Sequence, residues 1–393
     1  MKVLVINAGS SSVKYQLIEL EQDLHTVLAK GLIEEIGTTR SSCKYQINEK
    51  KIEEKRVVAD HSEAVKLVLN SLKQHNVCEI KDIVVVGHRV VHGGDFYKEP
   101  ALIDDTVMKV FNQLSHLAPL HNPSNIKGIE ACKKYLSHTK QVAVFDTSFH
   151  QNIPQKANLY ALPFKYYEKD KVRRYGFHGI SHEFLSQEAN KLLHKEKSKI
   201  ITCHLGNGSS VTAVLDGKSV DTSMGFTPLE GLIMGTRCGD IDPGVVLFLM
   251  NEHHLNPDEM KNILNKKSGF IGIAETSDVR ELWHRTQHND EKAKLCLEIL
   301  EYMLVKKIAA YAGVLNGIDA LVFSGGIGEN AYYVRESVCK QLSFLGINLD
   351  EQKNKENAVI VSKDTSKVKV FVIPTNEELL IAQKALTCYL KTL

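Results

Sequence analysis

Two arginines and one aspartate occupy settings in which their side chains could act on an anionic substrate. Arg89 follows an apolar run and precedes two glycines, and Arg237 lies in the glycine-rich stretch 234–244. A guanidinium matches the two oxygens of a carboxylate or a phosphoryl group, although a surface ion pair explains either arginine alone equally well. Asp146 ends another apolar run, where it could face a ligand at the carboxyl end of a strand or simply cap a helix.

Three glycine-rich turns each follow a short apolar run. The turns at 7–12 and 204–209 are each followed by a second run, which predicts two similar β-hairpins. Glycine allows close approach of a ligand, and successive N–H groups form a nest for anions. The third turn, 323–330, precedes a predicted helix whose N-terminus favours negative charge. The repeat predicts a duplicated domain with two phosphate-gripping turns and a nucleotide between them.

Other chemistries find little support in the sequence. A Walker-type loop and a dinucleotide-binding glycine motif are both missing. His178 and His182 have the spacing of a metal-binding pair, but no glutamate follows the first histidine, which disfavours zinc. The eight cysteines form no CxxC pair, so we expect reduced thiols.

Composition bounds the class of protein and its partners. Hydrophobic residues make up 43% of the 393 residues and charged residues 24%, which is typical of globular proteins. The net charge of +2 argues against nucleic-acid and membrane partners. No apolar run is long enough to span a bilayer, and the N-terminus reads as a first strand rather than a signal peptide. We therefore expect a cytoplasmic protein.

The alternation of strand and helix patterns predicts an α/β fold, and the chain length predicts two domains. We expect strands at 83–87, 142–146, 199–204, 320–323 and 368–373. We expect one helix that Ser62 caps and a long apolar helix from Leu295 to Leu315. The polar stretch 350–369 reads as a solvated surface segment.

These motifs, taken in order, resemble the acetokinase family of the actin, sugar-kinase and Hsp70 superfamily. The resemblance covers essentially the whole chain and rests on residues 7–12, 88–94, 175–182, 204–208, 234–237 and 325–330. It implies two duplicated ribonuclease-H-like (actin-like ATPase) domains with an interdomain cleft, and a homodimer. Residues 1–149 with about 378–393 would form the acyl- and phosphate-side domain. Residues from about 150 to 377 would form the nucleotide-binding and dimerisation domain.

The resemblance implies reversible, Mg²⁺-dependent phosphoryl transfer from ATP to acetate, giving ADP and acetyl phosphate, with Mn²⁺ as an alternative metal. It implies catalytic roles for Asp146, Arg237, His178 and Arg89, and metal contacts for Asn7 and Glu377. It places the acyl group of the substrate against Arg89, Val91, Leu120, Phe177 and Pro228. The nucleotide site would comprise Lys14, His204, Leu205, Gly206, Asn207, Gly208, Asp278, Val279, Arg280, Gly325, Gly326, Ile327, Gly328 and Glu329.

Asp146 has the role of acid/base in this family, but acetate is already ionised at pH 7 and needs no base to become a nucleophile. We therefore expect Asp146 to orient groups or the metal. Two alternatives remain open for the activity. One is a propionate or other short-chain acyl kinase, against which the bulk of Val91 argues. The other is a non-catalytic, Hsp70-like ATP switch, which would need neither Arg89 nor Arg237.

Overall fold

The computed structural model describes residues 1–22, 24–47, 50–115, 118 and 121–393. These residues form two compact units, one of Met1–Ser148 with Asn376–Leu393 and the other of Phe149–Thr375. Within the described ranges, no helix has both the length and the apolar character needed to cross a membrane.

Each unit is built on one β-sheet. The strands of the first unit are β1 (Lys2–Ala8), β2 (Val13–Glu21), β3 (Leu24–Glu34), β4 (Ser42–Ile47), β5 (Lys50–Lys55), β6 (Ile83–Val90), β7 (Ala101–Leu102) and β8 (Lys140–Phe145). The strands of the second unit are β9 (Lys199–Leu205), β10 (Ser209–Leu215), β11 (Lys218–Thr222), β12 (Ala320–Ser324) and β13 (Lys369–Val372).

The helices cover the faces of these sheets or lie in the segments that connect the strands. They are α1 (His61–Gln74), α2 (Asp105–Leu114), α3 (Asn122–Tyr135), α4 (Gln155–Asn158), α5 (Lys165–Asp170), α6 (Gly179–Leu193), α7 (Pro243–Glu252), α8 (Pro257–Lys266), α9 (Gly269–Ala274), α10 (Val279–Thr286), α11 (Glu291–Val314), α12 (Gly325–Asn330), α13 (Tyr332–Gln341), α14 (Glu351–Lys355) and α15 (Glu377–Leu390).

The two sheets share one topology. In the first unit β1, β2 and β3 form an antiparallel meander, and β6 and β8 add in parallel on the other side of β1. In the second unit β9, β10 and β11 form the meander, and β12 and β13 add in parallel beside β9. The five strands common to both sheets, counted in chain order, are therefore arranged 3-2-1-4-5 in each unit, and β4, β5 and β7 extend the first sheet at its edges. The predicted duplicated ribonuclease-H-like fold and both predicted hairpins are therefore confirmed.

Helices bury both faces of the first sheet. Leu4, Ile6 and Ala8 of β1 pack into a core with Val65 and Val68 of α1. On the other face α15 lies so close to β6 that a Cβ atom at Gly87 would be 2.9 Å from Cγ2 of Ile381. Glycine at this position therefore allows the helix to reach the sheet, and the start of α15 is held beside the ends of the parallel strands.

The long helix α11 supplies much of the second core. Its buried residues Cys296, Leu300, Leu304 and Ile308 recur at helical spacing and face the sheet. The predicted helix from Leu295 is correct, but its start was placed too late. Asp290 caps the helix by accepting a hydrogen bond from the backbone N–H of Ala293, which adds a turn before the apolar run begins.

Two expectations from the sequence are wrong. Asp60, rather than Ser62, caps α1, because its carboxylate accepts a hydrogen bond from the backbone N–H of Glu63. The stretch 350–369 is not simply a solvated segment, since Asn354 and Val361 are fully buried within it. The side-chain oxygen of Asn354 accepts a hydrogen bond at 2.7 Å from Nε of Arg335, a buried partner that composition cannot reveal.

Candidate active site

Three predicted residues lie at the carboxyl ends of adjacent parallel strands in the first unit. Asn7 is near the end of β1, Arg89 is near the end of β6, and Asp146 follows β8 directly. Asn125 of α3 joins two of these strand ends, because its side chain donates to the carbonyl oxygen of Ala8 and accepts from the backbone N–H of Val91. The topology therefore gathers these groups at one edge of the sheet.

Arg89 and Asp146 form a bidentate ion pair. Nε of Arg89 donates to Oδ1 of Asp146 at 3.1 Å, and Nη2 donates to Oδ2 at 2.6 Å. Burial raises the pKa of the Asp146 carboxyl, and the Arg89 guanidinium opposes that rise. Burial also acts to lower the pKa of Arg89, but Asp146 and Glu377 outweigh it and raise that pKa. The pair therefore holds one edge of the guanidinium in a fixed plane.

The start of α15 brings two carboxylates to the same region. Glu377 lies with Oε2 3.7 Å from Nε of Arg89, and Glu378 lies with Oε1 2.6 Å from Nζ of Lys14. Gly87 faces α15, and its partner Val5 on β1 lies on the same face of the sheet. Alternate residues of a strand share a face, so Arg89 and Asn7, each two positions further along, also lie on the face that α15 covers. Glu377 and Asn7 thus provide hard oxygen donors of the type that Mg²⁺ prefers. Among the described residues no group of three or more His, Cys, Asp or Glu side chains could hold a metal ion.

In the second unit the hairpin turn after β9 meets two predicted catalytic side chains. A Cβ atom at Gly208 would lie 3.4 Å from Nε2 of His178 and 3.5 Å from Nη1 of Arg237. The segment carrying Arg237 packs on the same turn, since the backbone N–H of Gly235 donates to the carbonyl oxygen of Asn207 at 3.3 Å. Glycine at 208 therefore leaves room beside two side-chain nitrogens that lie close to one place.

Arg237 is a largely buried cation without an acidic partner among the residues that the structure describes. Its Nη1 donates to the carbonyl oxygen of Pro228 at 3.1 Å and contacts the sulfur of Met234 at 3.7 Å. Burial lowers the pKa of this arginine from its usual value. A guanidinium that has lost much of its contact with water, and that no carboxylate among the described residues neutralises, favours an anionic ligand.

Buried histidines support the residues around His178. His178, which precedes α6, has a positive φ of 57° and accepts or donates a hydrogen bond through Nδ1 to Oγ of Ser210 at 2.8 Å. His182 lies one turn further and contacts both Thr202 and Ser210. Nε2 of His150 is 3.0 Å from the carbonyl oxygen of Phe177, which fixes the backbone just before His178. Burial lowers the pKa of His150 to about 4, so it is neutral near pH 7.

A cavity of about 710 Å³ lies beside the glycine turns of the second unit. Predicted nucleotide-site residues that line it are Gly206, Asn207, Asp278, Val279, Arg280, Gly326 and Ile327. Sequence reasoning missed the other lining residues, Ser277, Trp283, Asn330, Ala331 and Tyr333. The rings of Trp283 and Tyr333 are stacked with centroids 3.9 Å apart, and the single tryptophan of the chain was the available signal for this aromatic wall.

The remaining predicted nucleotide residues support the cavity or lie elsewhere. Gly325 has a positive φ of 75°, and a Cβ atom there would be 2.5 Å from the carbonyl oxygen of Leu205. Glu329 turns inward, where Oε1 accepts the backbone N–H of Gly325 at 2.9 Å. His204, Leu205, Gly208, Gly325, Gly328 and Glu329 are not among the lining residues, and Lys14 belongs to the first unit.

Arg335 fixes the far end of the turn helix α12. This arginine is fully buried, and its Nη1 donates to the carbonyl oxygens of Gly328 and Glu329 at 2.8 and 3.0 Å. Its Nη2 donates to the carbonyl oxygen of Asn354 and to Oδ1 of Asn357. Burial lowers the pKa of Arg335 to about 10. The helix that carries Gly326 is therefore anchored by a charged hydrogen-bond network that the sequence did not reveal.

The predicted acyl-binding residues are divided between the two units. Val91 is buried in the first unit, where its backbone is held by Asn125. Phe177 is buried in the second unit, and Pro228 is partly exposed there with its carbonyl oxygen on Arg237. Leu120 lies outside the described residues.

The duplicated ribonuclease-H-like fold, with one charged strand-end cluster and one glycine-lined cavity, defines a protein of the actin-like ATPase fold class. A family model described as the acetokinase family matches residues 2–383. The chain belongs to this family.

Individual relatives match along almost their entire lengths. Acetate kinase of Thermotoga maritima is 53% identical over 394 aligned residues, covering 98% of this chain and 97% of that protein. The crystal structure of Porphyromonas gingivalis acetate kinase is 42% identical, with a TM-score of 0.92 and coverage of 98% and 99%. A propionate kinase structure from Francisella tularensis subsp. tularensis SCHU S4 is 40% identical, with a TM-score of 0.94 and the same coverage.

Proposed function

We propose that this protein catalyses the reversible transfer of the γ-phosphoryl group of ATP to acetate, giving acetyl phosphate and ADP. The observation that carries the proposal is that each unit holds a largely buried guanidinium group, Arg89 in the first and Arg237 in the second, in a chain that is 53% identical to an acetate kinase over nearly its whole length. A kinase whose acceptor is a carboxylate must bring that anion close to the negatively charged phosphates of ATP. Two fixed cations would reduce the electrostatic repulsion between them.

Arg89 is the proposed binding group for the acetate carboxylate. Asp146 occupies Nε and Nη2, whereas Nη1 of Arg89 makes no hydrogen bond to any of the described residues. That second edge of the guanidinium remains for a substrate oxygen. Since both oxygens of Asp146 are committed to Arg89, we assign Asp146 the role of orienting the guanidinium rather than removing a proton.

The second unit is the proposed nucleotide-binding domain. The stacked Trp283 and Tyr333 form an apolar wall that suits an adenine ring, and Gly326 leaves open space beside them. The phosphates would then lie towards Gly208, where Nε2 of His178 and Nη1 of Arg237 converge. These two donors would stabilise the charge that develops on the equatorial oxygens of the transferred phosphoryl group.

Asn7 and Glu377 are the proposed contacts for a divalent metal. Their amide and carboxylate oxygens fit Mg²⁺, with Mn²⁺ as a substitute, and phosphate oxygens and water would complete the coordination shell. When bound with the nucleotide, Mg²⁺ would offset the negative charge of the phosphate groups. Lys14, now paired with Glu378, is a further proposed phosphate contact and would exchange one anionic partner for another.

Acetate is the proposed acyl substrate because the bulk of Val91 leaves less room for a longer acid. Val91 is the residue of the first unit that we assign to the methyl group of the substrate. A single methylene changes discrimination by only about 1–3 kcal/mol, so we expect slower turnover of propionate rather than complete exclusion.

A hydroxamate assay with ATP and acetate, propionate or butyrate tests the proposal directly. We expect acetate to give the highest kcat/KM, propionate a lower value and butyrate the lowest. ATP hydrolysis measured without any acid controls for a nucleotide switch, and we expect it to be far slower than acyl phosphate formation. ATP hydrolysis without acetate-dependent product would contradict the kinase assignment.

We also propose that the protein is a cytoplasmic homodimer that associates through α7. This ten-residue helix contains no buried residue. Its apolar side chains are exposed as well, with Val245 at 42%, Leu247 at 62% and Phe248 at 61%. An apolar helix that one chain leaves exposed fits a second copy of the same surface. Sedimentation of the wild type and of Leu247→Glu tests this, with a dimer expected for the first and a monomer for the second. A wild-type monomer would contradict it.

A further inference from the structure

We propose that Thr202, His182 and Ser210 form a hydrogen-bond chain that fixes the tautomer of His178, so that its Nε2 carries the proton. The inference deepens the proposed function, since it rests on the role of His178 as a donor to the phosphoryl group. These three residues would be positioning residues that act on the reaction only through the imidazole of His178.

The hydrogen-bond chain is continuous and lies inside the second unit. Nδ1 of His182 is 2.8 Å from Oγ1 of Thr202, and Nε2 of His182 is 2.7 Å from Oγ of Ser210. Oγ of Ser210 is in turn 2.8 Å from Nδ1 of His178. Thr202, His182 and Ser210 are all fully buried, so water does not compete for these contacts. Both ring nitrogens of His182 are thus committed, and one serine oxygen joins two histidines.

Two proton arrangements make every contact in this hydrogen-bond chain and also give the hydroxyl proton of Ser210 an acceptor. If both histidines donated to Ser210, its own buried proton would have no acceptor, which is unfavourable. Burial lowers the pKa of His182 well below its usual value, so its ring is neutral and carries one N–H. In the first arrangement Thr202 donates to His182, His182 donates to Ser210, and Ser210 donates to His178. In the second arrangement every donor is reversed, and Nδ1 of His178 carries the proton.

The threonine at the end of the chain selects the first arrangement. Among the described residues, the Thr202 hydroxyl has one hydrogen-bond partner, Nδ1 of His182. If His182 donated to it, the buried hydroxyl proton of Thr202 would have no acceptor, which is unfavourable. Donation by Thr202 avoids that loss and sets the direction of the whole chain. Nδ1 of a neutral His178 is then an acceptor, and Nε2 is an N–H donor.

This tautomer is the one that the proposed chemistry needs. Nε2 of His178 and Nη1 of Arg237 face the same space beside Gly208. An N–H at Nε2 attracts a phosphoryl oxygen placed there, whereas a lone pair at Nε2 would repel it. The positive φ of His178 sets the backbone, and the chain from Thr202 sets the ring.

Nitrogen NMR of the wild-type protein with ¹⁵N-labelled histidine tests the inference without any substrate. Comparison with His178→Gln assigns the His178 signals. We expect a pyrrole-type Nε2 and a pyridine-type Nδ1 for His178 above its titration. The opposite pattern, or an even mixture, would overturn the inference whatever the activity of the enzyme.

Variants of Thr202 test whether this residue controls the tautomer of His178 through the hydrogen-bond chain. We expect Thr202→Val to give a mixed His178 tautomer and to lower kcat with little change in KM for acetate. The loss should remain below the ~10⁴-fold that a catalytic histidine held in the wrong tautomer can cause. Thr202→Ser keeps the donor, so it should restore both the NMR pattern and kcat. Failure of the serine variant to restore either would overturn the inference.

Thr212→Val provides a matched control. Thr212 lies two residues after Ser210 on β10, is equally buried, and pairs through its hydroxyl with Thr222 rather than with a histidine. We expect it to leave the His178 tautomer unchanged, and a change as large as that in Thr202→Val would overturn the inference. If His178 shows the expected tautomer but His178→Gln retains full turnover, the tautomer chain stands and the catalytic role of His178 fails.

Discussion

Replacing Gly326 by valine should weaken ADP binding while leaving the fold unchanged. Gly326 is exposed within α12 and lines the cavity beside Trp283, and a Cβ atom there would meet no protein atom within 4 Å. The new side chain therefore enters space that we assign to the nucleotide without displacing the protein. A helical glycine costs roughly 0.5–1 kcal/mol relative to alanine, so the free protein should be no less stable.

The expected magnitude follows from binding linkage. If valine weakens ADP binding about tenfold, the loss is about 1.4 kcal/mol of binding free energy. At an ADP concentration about 100 times the wild-type Kd, ADP stabilises the wild type by about 2.7 kcal/mol and the variant by only about 1.4 kcal/mol. Calorimetric titration gives the Kd, and thermal unfolding with and without ADP gives the stabilisation. The increase in Tm caused by ADP should therefore fall to about half.

Gly313→Val is the control for a change in helix propensity. Gly313 is also exposed and helical, in α11, and a Cβ atom there also meets nothing within 4 Å, but it lies outside the cavity. We expect this variant to bind ADP as the wild type does. Unchanged ADP affinity in Gly326→Val would refute the assignment of the cavity, and an equal loss in both variants would show that helix stiffness is the cause.

Four further substitutions test the charged groups and the acyl pocket by steady-state kinetics, with circular dichroism to check folding. Arg89→Ala and Arg237→Ala should each lower kcat by about 10²-fold, or ~3 kcal/mol, and near-normal acetyl phosphate formation by either variant would remove that arginine from the mechanism. Val91→Ala should raise the kcat/KM ratio of propionate to acetate about tenfold, and an unchanged ratio would exclude Val91 from the pocket. Lys14→Ala should lower kcat more than ADP affinity, so the reverse order would contradict a phosphate role for Lys14.

Much of the fold was predictable because apolar runs report burial directly. The runs that form β6, β8, β9, β12 and β13 were each identified, and the similar turns at 7–12 and 204–209 revealed the duplication. Strand pairing then follows from the topology. The start of α11 was less accessible, because Asp290 acts through one hydrogen bond that hydrophobic periodicity does not record.

The site was only partly predictable because several of its contacts join residues far apart in the chain. The glycine-rich stretches around Arg89 and Arg237 identified both arginines as candidates. They did not reveal that Asp146 occupies one edge of the Arg89 guanidinium. Trp283 and Tyr333 lie 50 positions apart and stack only after folding. The donors around His178 likewise come from β9, β10 and α6, so sequence alone could suggest a metal pair but not a hydrogen-bond chain.

The network around Arg335 should restrict which residues this chain can carry at positions 335, 354 and 357. Its Nε and its two Nη groups make five hydrogen bonds to carbonyl and amide oxygens, which uses every N–H that a guanidinium has. A lysine at this position could satisfy at most three of those acceptors and would leave the others buried. Asn354 and Asn357 therefore cannot drift independently of Arg335, although they lie in a stretch whose composition suggests a freely variable loop. Substitutions there should be tolerated only in combination, so Arg335 constrains the sequence around the glycine turn at 325–330 without itself lining the cavity.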